Sequence, residues 1–391
     1  MPIATECISI KRRDMFQLQI VTTTSPQVIT LPTHNYYNYD YYVNWGDGSA
    51  VAHNTVWNTG NTHSYATAGT YVISLWGKTF QGFFYSSLGS ADKLALRKIL
   101  DVTDMGINQI DFNGCTNLAY ISPNFKKLRS VTNGSGIFQG CTGLTYIPPG
   151  LFDGMSNVNT FYQVFNGCTG LTTITPNIFD KNPLVTSFAQ AFANNGNLTA
   201  IPADLFKYNT QVTTFSYVFG GNPSNTHVTS IPVDLFRYNT LVTTFDNAFY
   251  GYAGLTSLPV DLFRYNIAVT SFYITFNYCT NLATLPNDLF RYNTLATDFR
   301  GTFNGNNKIQ ANANVFSSVA GWESTRFLNQ SPNFTNMFTR SSFTGVQGTA
   351  PDLWNCSFGT GTPITSLCFS ATGGNNATSL TNFAAIPTAW K

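Results

Sequence analysis

The alternation of apolar and polar positions changes once along the chain. From residue 15 to 85, apolar residues alternate with polar ones in short runs separated by turn residues. Phe16, Leu18 and Ile20 share one side of such a run, and Tyr71-Val72-Ile73-Ser74-Leu75 repeats the pattern. A period of two sends successive side chains to opposite faces of a strand, so a small β domain is predicted here. From about residue 100 to 316 the period lengthens, and phenylalanines recur roughly every 27 residues. One column is Phe112, Phe138, Phe165, Phe192, Phe219, Phe249, Phe276 and Phe303. A second is Phe125, Phe152, Phe179, Phe206, Phe236, Phe263, Phe290 and Phe316, and a third is Phe161, Phe188, Phe215, Phe245, Phe272 and Phe299. The one longer step, Phe219 to Phe249, contains the inserted Asn222-Pro223-Ser224.

Aliphatic columns accompany the rings, one from Leu118 through Leu144 and Leu171 to Ile309, another from Ile121 through Ile147 to Leu285. Pro148, Pro202, Pro232, Pro259 and Pro286 follow the second column and precede a short segment that reads G-L-F after Pro148 and D-L-F after the others. Each repeat is expected to hold a short strand, a helical turn, a second short strand (V-T-T-F) and another turn. Stacking such coils at the strand spacing predicts equivalent rings about 4.8 Å apart, in continuous columns.

Composition agrees with a core of this kind. Aromatic residues make up 15% of the 391, with 33 Phe and 20 Tyr, and only 10% are charged. A net charge of +2 supplies no broad basic field for nucleic acid or an anionic membrane. No run reaches the ~18 apolar residues of a membrane span, so no membrane insertion is expected. The one basic run is Lys11-Arg12-Arg13, and residues Met1 to Cys7 lack the apolar core of a secretory signal. The seven cysteines, Cys7, Cys115, Cys141, Cys168, Cys279, Cys356 and Cys368, form no C-x-x-C pair. Because Asn195 and Tyr252 stand in the same column as Cys115, Cys141, Cys168 and Cys279, that column is expected to pack rather than to bind metal.

Within the β region, Trp45-Gly46-Asp47-Gly48 precedes His63-Ser64-Tyr65 and Gly69-Thr70-Tyr71. This pairing resembles the PKD-type immunoglobulin-like domain, with its W-G-D-G turn and later H-x-Y-x-x-x-G-x-Y strand. The resemblance implies a β-sandwich in which Trp45 is core and Asp47 fixes the turn. A catalytic or calcium-binding Asp47, or a metal held by His53 and His63, has no further ligands at suitable spacing.

The recurring F-x-G-C-T-x-L-T-x-I-P-x-x-L-F is similar to the leucine-rich repeats of BspA-like surface proteins, found in bacterial surface antigens and phage genomes. The expected fold class is therefore mainly β with short helices: an Ig-like (PKD-type) sandwich plus a leucine-rich-repeat solenoid of about 27-residue coils. The expected organisation is 1–88 sandwich, 89–114 cap or linker, 115–316 repeats and 317–391 C-terminal cap, the last including Ala350 to Trp354 and Leu380 to Lys391. A low-charge, aromatic-rich composition suited to an exterior, with no visible secretory signal, leads to the expectation of a virion structural or adhesive protein of a bacteriophage, assembled in the host cytoplasm without a signal peptide. A bacterial cell-surface adhesin is the alternative. Expected partners are other virion or surface proteins and host glycan or protein, with homo-oligomerisation left open.

Four repeats carry the same exposed polar set. Lys207, Arg237, Arg264 and Arg291 follow the D-L-F phenylalanine, Tyr208, Tyr238, Tyr265 and Tyr292 come next, and Asp204, Asp234, Asp261 and Asp288 precede it. They read either as a partner-binding strip of stacked Tyr and Arg or as Asp–Arg pairs between coils that relieve like-charge stacking. Asn209, Asn239, Asn266 and Asn293 are expected to satisfy turn backbone as a ladder. Thr186-Ser187, Thr213-Thr214, Thr243-Thr244 and Thr270-Ser271 suit β-propensity better than an ice-binding array. The motifs of hydrolases, zincins and P-loop enzymes are absent from the sequence, and its four histidines are scattered at positions 34, 53, 63 and 227. A non-enzyme without cofactor or metal is expected.

Overall fold

The computed structural model describes residues 15–221, 225–339, 348–370 and 380–391. Cys7, Lys11-Arg12-Arg13 and Asn222-Pro223-Ser224 lie outside the described residues. The fold is mainly β with a few short helices, and it divides into two compact units, Met1–Leu184 and Val185–Lys391. Among the described residues, no helix is long and apolar enough to cross a membrane.

The first unit is built on a six-stranded sheet in the order β10-β8-β1-β6-β3-β4. Its central strands are β1 (Phe16–Thr22), β3 (Tyr39–Asn44) and β6 (Gly69–Phe80), all antiparallel. The edges are β4 (Ala52–Asn54) on one side, and β8 (Leu96–Asp101) with β10 (Tyr120–Ile121) on the other. Strand β1 alternates as its sequence requires, with Phe16, Leu18 and Ile20 buried and the residues between them half-buried. A second pair, β2 (Gln27–Thr30) and β5 (Thr62–Tyr65), is antiparallel. The direction of pairing then changes: β10 runs parallel to β8, and β7 (Gly82–Phe84) runs parallel to β9 (Gln109–Asp111). A short α-helix, α1 (Ser90–Ala95), leads into β8.

In the second unit, successive repeats join by one row of parallel bridges, Ser187–Thr214, Thr214–Thr244, Thr244–Ser271, Ser271–Asp298, Asp298–Asn333 and Asn333–Ile364, and the later ones also by a second, Ser257–Thr284, Thr284–Gln310 and Ala311–Gly348. The V-T-T-F segments predicted as strands shrink to one bridge each, and the backbone explains why. Two residues after each third-column Phe the chain turns left-handed, at Tyr217 (φ 53), Asn247 (φ 57) and Ile274 (φ 56). From there alternate N–H groups point at the next repeat, as in Tyr217 N–H to Asp246 O (2.8 Å) and Phe219 N–H to Ala248 O (3.1 Å). The intervening groups close local turns instead, as in Val218 N–H to Phe215 O (3.0 Å). The backbone donors from Phe215 to Gly221 thus all have partners without a conventional strand.

The phenylalanines fill the interior, but their spacing differs from the expected 4.8 Å. Within one column, near-parallel rings lie further apart, for example Phe215–Phe245 at 5.9 Å and Phe236–Phe263 at 6.5 Å. The short contacts zigzag between the second and third columns: Phe206–Phe215 at 4.7 Å, Phe215–Phe236 at 4.8 Å and Phe236–Phe245 at 4.7 Å, with planes 47–56° apart. The ring quadrupole disfavours face-to-face sandwiches, so two columns interleave as one herringbone.

Candidate binding strip

The strip lies wholly in the second unit, and each repeat builds it in the same way. A turn closes from Arg237 N–H to Asp234 O and from Arg264 N–H to Asp261 O, both at 3.1 Å, so each acid and its cation share one side of the turn. The resulting ion pairs are Lys207–Asp204 (3.7 Å), Arg237–Asp234 (3.5 Å), Arg264–Asp261 (3.3 Å) and Arg291–Asp288 (3.7 Å). The pairs therefore form within a repeat, not between repeats as the sequence suggested. Three residues of a tight turn bring the charges closer than the next repeat can.

Contact between repeats comes from the rings. Lys207 lies over Tyr238 (5.8 Å), Arg237 over Tyr265 (5.2 Å) and Arg264 over Tyr292 (5.3 Å). Each cation also lies over the ring beside it: Lys207 on Tyr208 (5.7 Å), Arg237 on Tyr238 (5.8 Å), Arg264 on Tyr265 (5.8 Å) and Arg291 on Tyr292 (5.4 Å). The Arg264 guanidinium is raised above its ordinary value, first by Tyr292 and then by Asp261. Tyr208, Tyr238 and Tyr265 remain exposed, and Tyr292 is half-buried. All eight predicted residues are thus brought together as one ladder of alternating cations and rings.

Beneath it runs the asparagine ladder. Asn239 Nδ2 donates to Phe206 O (3.1 Å) and Asn209 O (2.9 Å), Asn266 Nδ2 to Phe236 O (3.0 Å) and Asn239 O (2.9 Å), and Asn293 Nδ2 to Phe263 O (3.0 Å) and Asn266 O (2.9 Å). Asn239, Asn266 and Asn293 are fully buried, and their Oδ1 atoms have no partner. Arg326 ends the ladder. Its buried guanidinium donates to Asn293 O (2.8 Å), Thr294 O (3.2 Å) and Ala296 O (3.4 Å), and lies over Phe327 at 4.3 Å. Burial pulls it down to about 10.

The cysteine column has the same task. Cys141 Sγ donates to Phe112 O (3.2 Å), Cys168 Sγ to Phe138 O (2.9 Å) and Cys279 Sγ to Phe249 O (3.3 Å), where Asn306 Nδ2 donates to Phe276 O (2.8 Å). Burial pushes the thiols up, Cys168 to about 12. The column is a hydrogen-bonding position as well as a packing one, which its mixture of Cys and Asn already encoded.

In the first unit, Asp47 is a turn residue. Its Oδ1 accepts Ser49 N–H at 3.0 Å, and its Oδ2 lies 2.6 Å from His63 Nε2. These partners, Ser49 foremost, lower the carboxyl to about 2 despite an opposing desolvation. His63 stacks on the buried Trp45 at 5.0 Å, and Tyr65 Oη donates to Trp45 O at 2.8 Å. His53 pairs with Asp40 at 2.8 Å. Among the described residues no cluster of three or more His, Cys, Asp or Glu is placed to hold a metal ion.

Sequence reasoning missed a second group of polar and aromatic residues, Tyr217, Asp246, Tyr250, Tyr273, Tyr278 and Arg300. Their signal was present in the sequence as departures from the repeat rather than recurrences of it. No family model matches the chain, and no curated protein matches it.

Proposed function

We propose that the protein is a non-catalytic display scaffold: an Ig-like, PKD-type sandwich followed by a leucine-rich-repeat solenoid. Its role is that of a virion structural or adhesive component. The turn built by Trp45, Asp47 and His63 supports the first assignment, and the repeat-to-repeat bridges from Ser187 to Ile364 support the second.

The observation that carries the functional reading is the cation–ring ladder. In it, Lys207, Arg237 and Arg264 each lie over their own tyrosine and the next repeat's. Stacking fixes rotamers that exposed Arg and Tyr ordinarily lose on binding, so a partner meets a surface already ordered. Tyr and Arg are also the residues that dominate binding energies at interfaces. The partner is a host-surface glycan or protein, engaged along several repeats at once. Binding of the full chain to intact host cells and to a glycan array tests this. The combined Tyr238→Ala, Arg264→Ala and Tyr265→Ala variant is expected to lose that binding, and unchanged binding removes the strip.

A further inference from the structure

A second face of the repeats breaks register on consecutive repeats. The row following Phe215, Phe245, Phe272 and Phe299 reads Ser216, Asp246, Tyr273 and Arg300. Beside it, a left-handed row reads Gly221, Gly251, Tyr278 and Gly305, with φ of 92, 81, 56 and 76. Glycine adopts that conformation without steric conflict, whereas a residue with a Cβ is strained there by about 1 kcal/mol. Tyr278 takes this position while remaining 46% exposed, so burial of its ring only partly offsets the strain. Strain held at an exposed aromatic residue points to use of the ring.

The surroundings place other groups beside it. The Tyr278 ring rests on Gly305, where an added Cβ would lie 2.9 Å from a ring carbon. Tyr250 meets Tyr278 edge-on at 6.1 Å. Arg300 lies over Tyr273 at 4.6 Å and grips Asp298 through Nε (2.9 Å) and Nη2 (2.6 Å). Asp246 Oδ1 accepts Tyr273 N–H at 3.1 Å. Tyr217 N–H donates to Asp246 O at 2.8 Å, and its phenol is raised by burial first and then by the charges of Tyr273, Tyr250 and Asp246.

Two carboxylates and one guanidinium leave little net field, which disfavours a polyanion or polycation. Aromatic faces beside fixed hydrogen-bonding groups suit a ring with an apolar C–H face and a hydroxyl rim. We propose that Tyr217, Tyr250, Tyr273 and Tyr278, with Arg300 and Asp246, form a binding site for a neutral polysaccharide. The rings stack against pyranose faces, and Arg300 and Asp246 orient hydroxyls. The site shares no residue with the Arg–Tyr strip, so either can fail without the other.

Native affinity electrophoresis of the full chain in gels containing dextran, galactomannan, xylan or hydroxyethylcellulose tests the proposal. Retardation by at least one polymer is expected, weakened at least five-fold by Tyr273→Ala and by Tyr278→Gly, and kept by Tyr146→Ala, an exposed ring that belongs to neither site. Because Tyr278→Gly relieves the left-handed strain, a melting temperature at or above the parent's separates lost binding from lost folding. No retardation by any of the four overturns the proposal. So does retardation that both variants retain, or stronger retardation by polygalacturonate than by every neutral polymer.

Discussion

The guanidinium of Arg237 lies over the ring of Tyr265 in the following repeat, 5.2 Å from its centroid, while its ion pair with Asp234 stays inside its own repeat. The ring, not the carboxylate, therefore carries this coupling between repeats. A double-mutant cycle on Arg237→Ala and Tyr265→Ala should give a coupling of about 0.5 kcal/mol, the usual worth of an exposed cation–ring contact. It should persist in 1 M salt better than the Arg237–Asp234 coupling, since ion pairs at the surface are screened. A null Arg237–Tyr265 coupling would show that the stacking is incidental.

Phe215 touches Phe206 at 4.7 Å and Phe236 at 4.8 Å, so it joins two repeats of the herringbone. Phe215→Ala is expected to destabilise the second unit by about 3–5 kcal/mol. Because each repeat depends on its neighbours, hydrogen exchange should quicken in adjoining repeats as well. A melting curve like the parent's contradicts the zigzag packing.

Ile274 is a β-branched residue at φ 56. Such residues are the least suited to left-handed backbone. Ile274→Asn should raise stability by about 0.5–1 kcal/mol, read as an increase in the denaturant midpoint with an unchanged slope. A fall in the midpoint would mean that the isoleucine's packing outweighs its strain.

The Asp47 carboxyl is lowered to about 2, with Ser49 the first cause. A carboxylate whose pKa falls on folding contributes its stability above the unfolded value and loses it as pH drops through the folded one. The window is therefore about pH 4 down to about pH 2. Asp47 is exposed enough that solvent screening limits the loss to about 1 kcal/mol or less. Asp47→Asn should flatten the acid limb of the first unit's unfolding, followed by Trp45 fluorescence. An unaltered limb would place the acid sensitivity elsewhere.

Burial raises the thiols of Cys141, Cys168 and Cys279, so little thiolate exists near neutrality. Native protein treated with iodoacetamide at pH 8 should remain unmodified at these three positions by peptide mass spectrometry. Cys279→Asn should be tolerated, because Asn306 makes the equivalent bond one repeat later. Cys279→Val removes one of two donors to the Phe249 carbonyl, which keeps Tyr252 N–H at 3.2 Å, and should cost about 1 kcal/mol.

The sequence by itself determined which side chains are inside. Phe215, Phe236 and Phe245 recur with the repeat, and all are buried. The alternation of Phe16, Leu18 and Ile20 likewise placed β1, because periodicity reports directly on the face that leaves water. The eight-residue strip was legible for the same reason, since residues at one position of a repeat must share a face. What only the tertiary structure decided is how those columns meet. The rings interleave because the quadrupole opposes a sandwich, and V-T-T-F shortens to a single bridge because the chain turns left-handed two residues later. Arg237 pairs with Asp234 inside its repeat and stacks on Tyr265 beyond it because turn geometry fixes the first distance and repeat spacing the second. Tyr273 and Tyr278, which no period predicts, come together only when successive repeats are laid side by side.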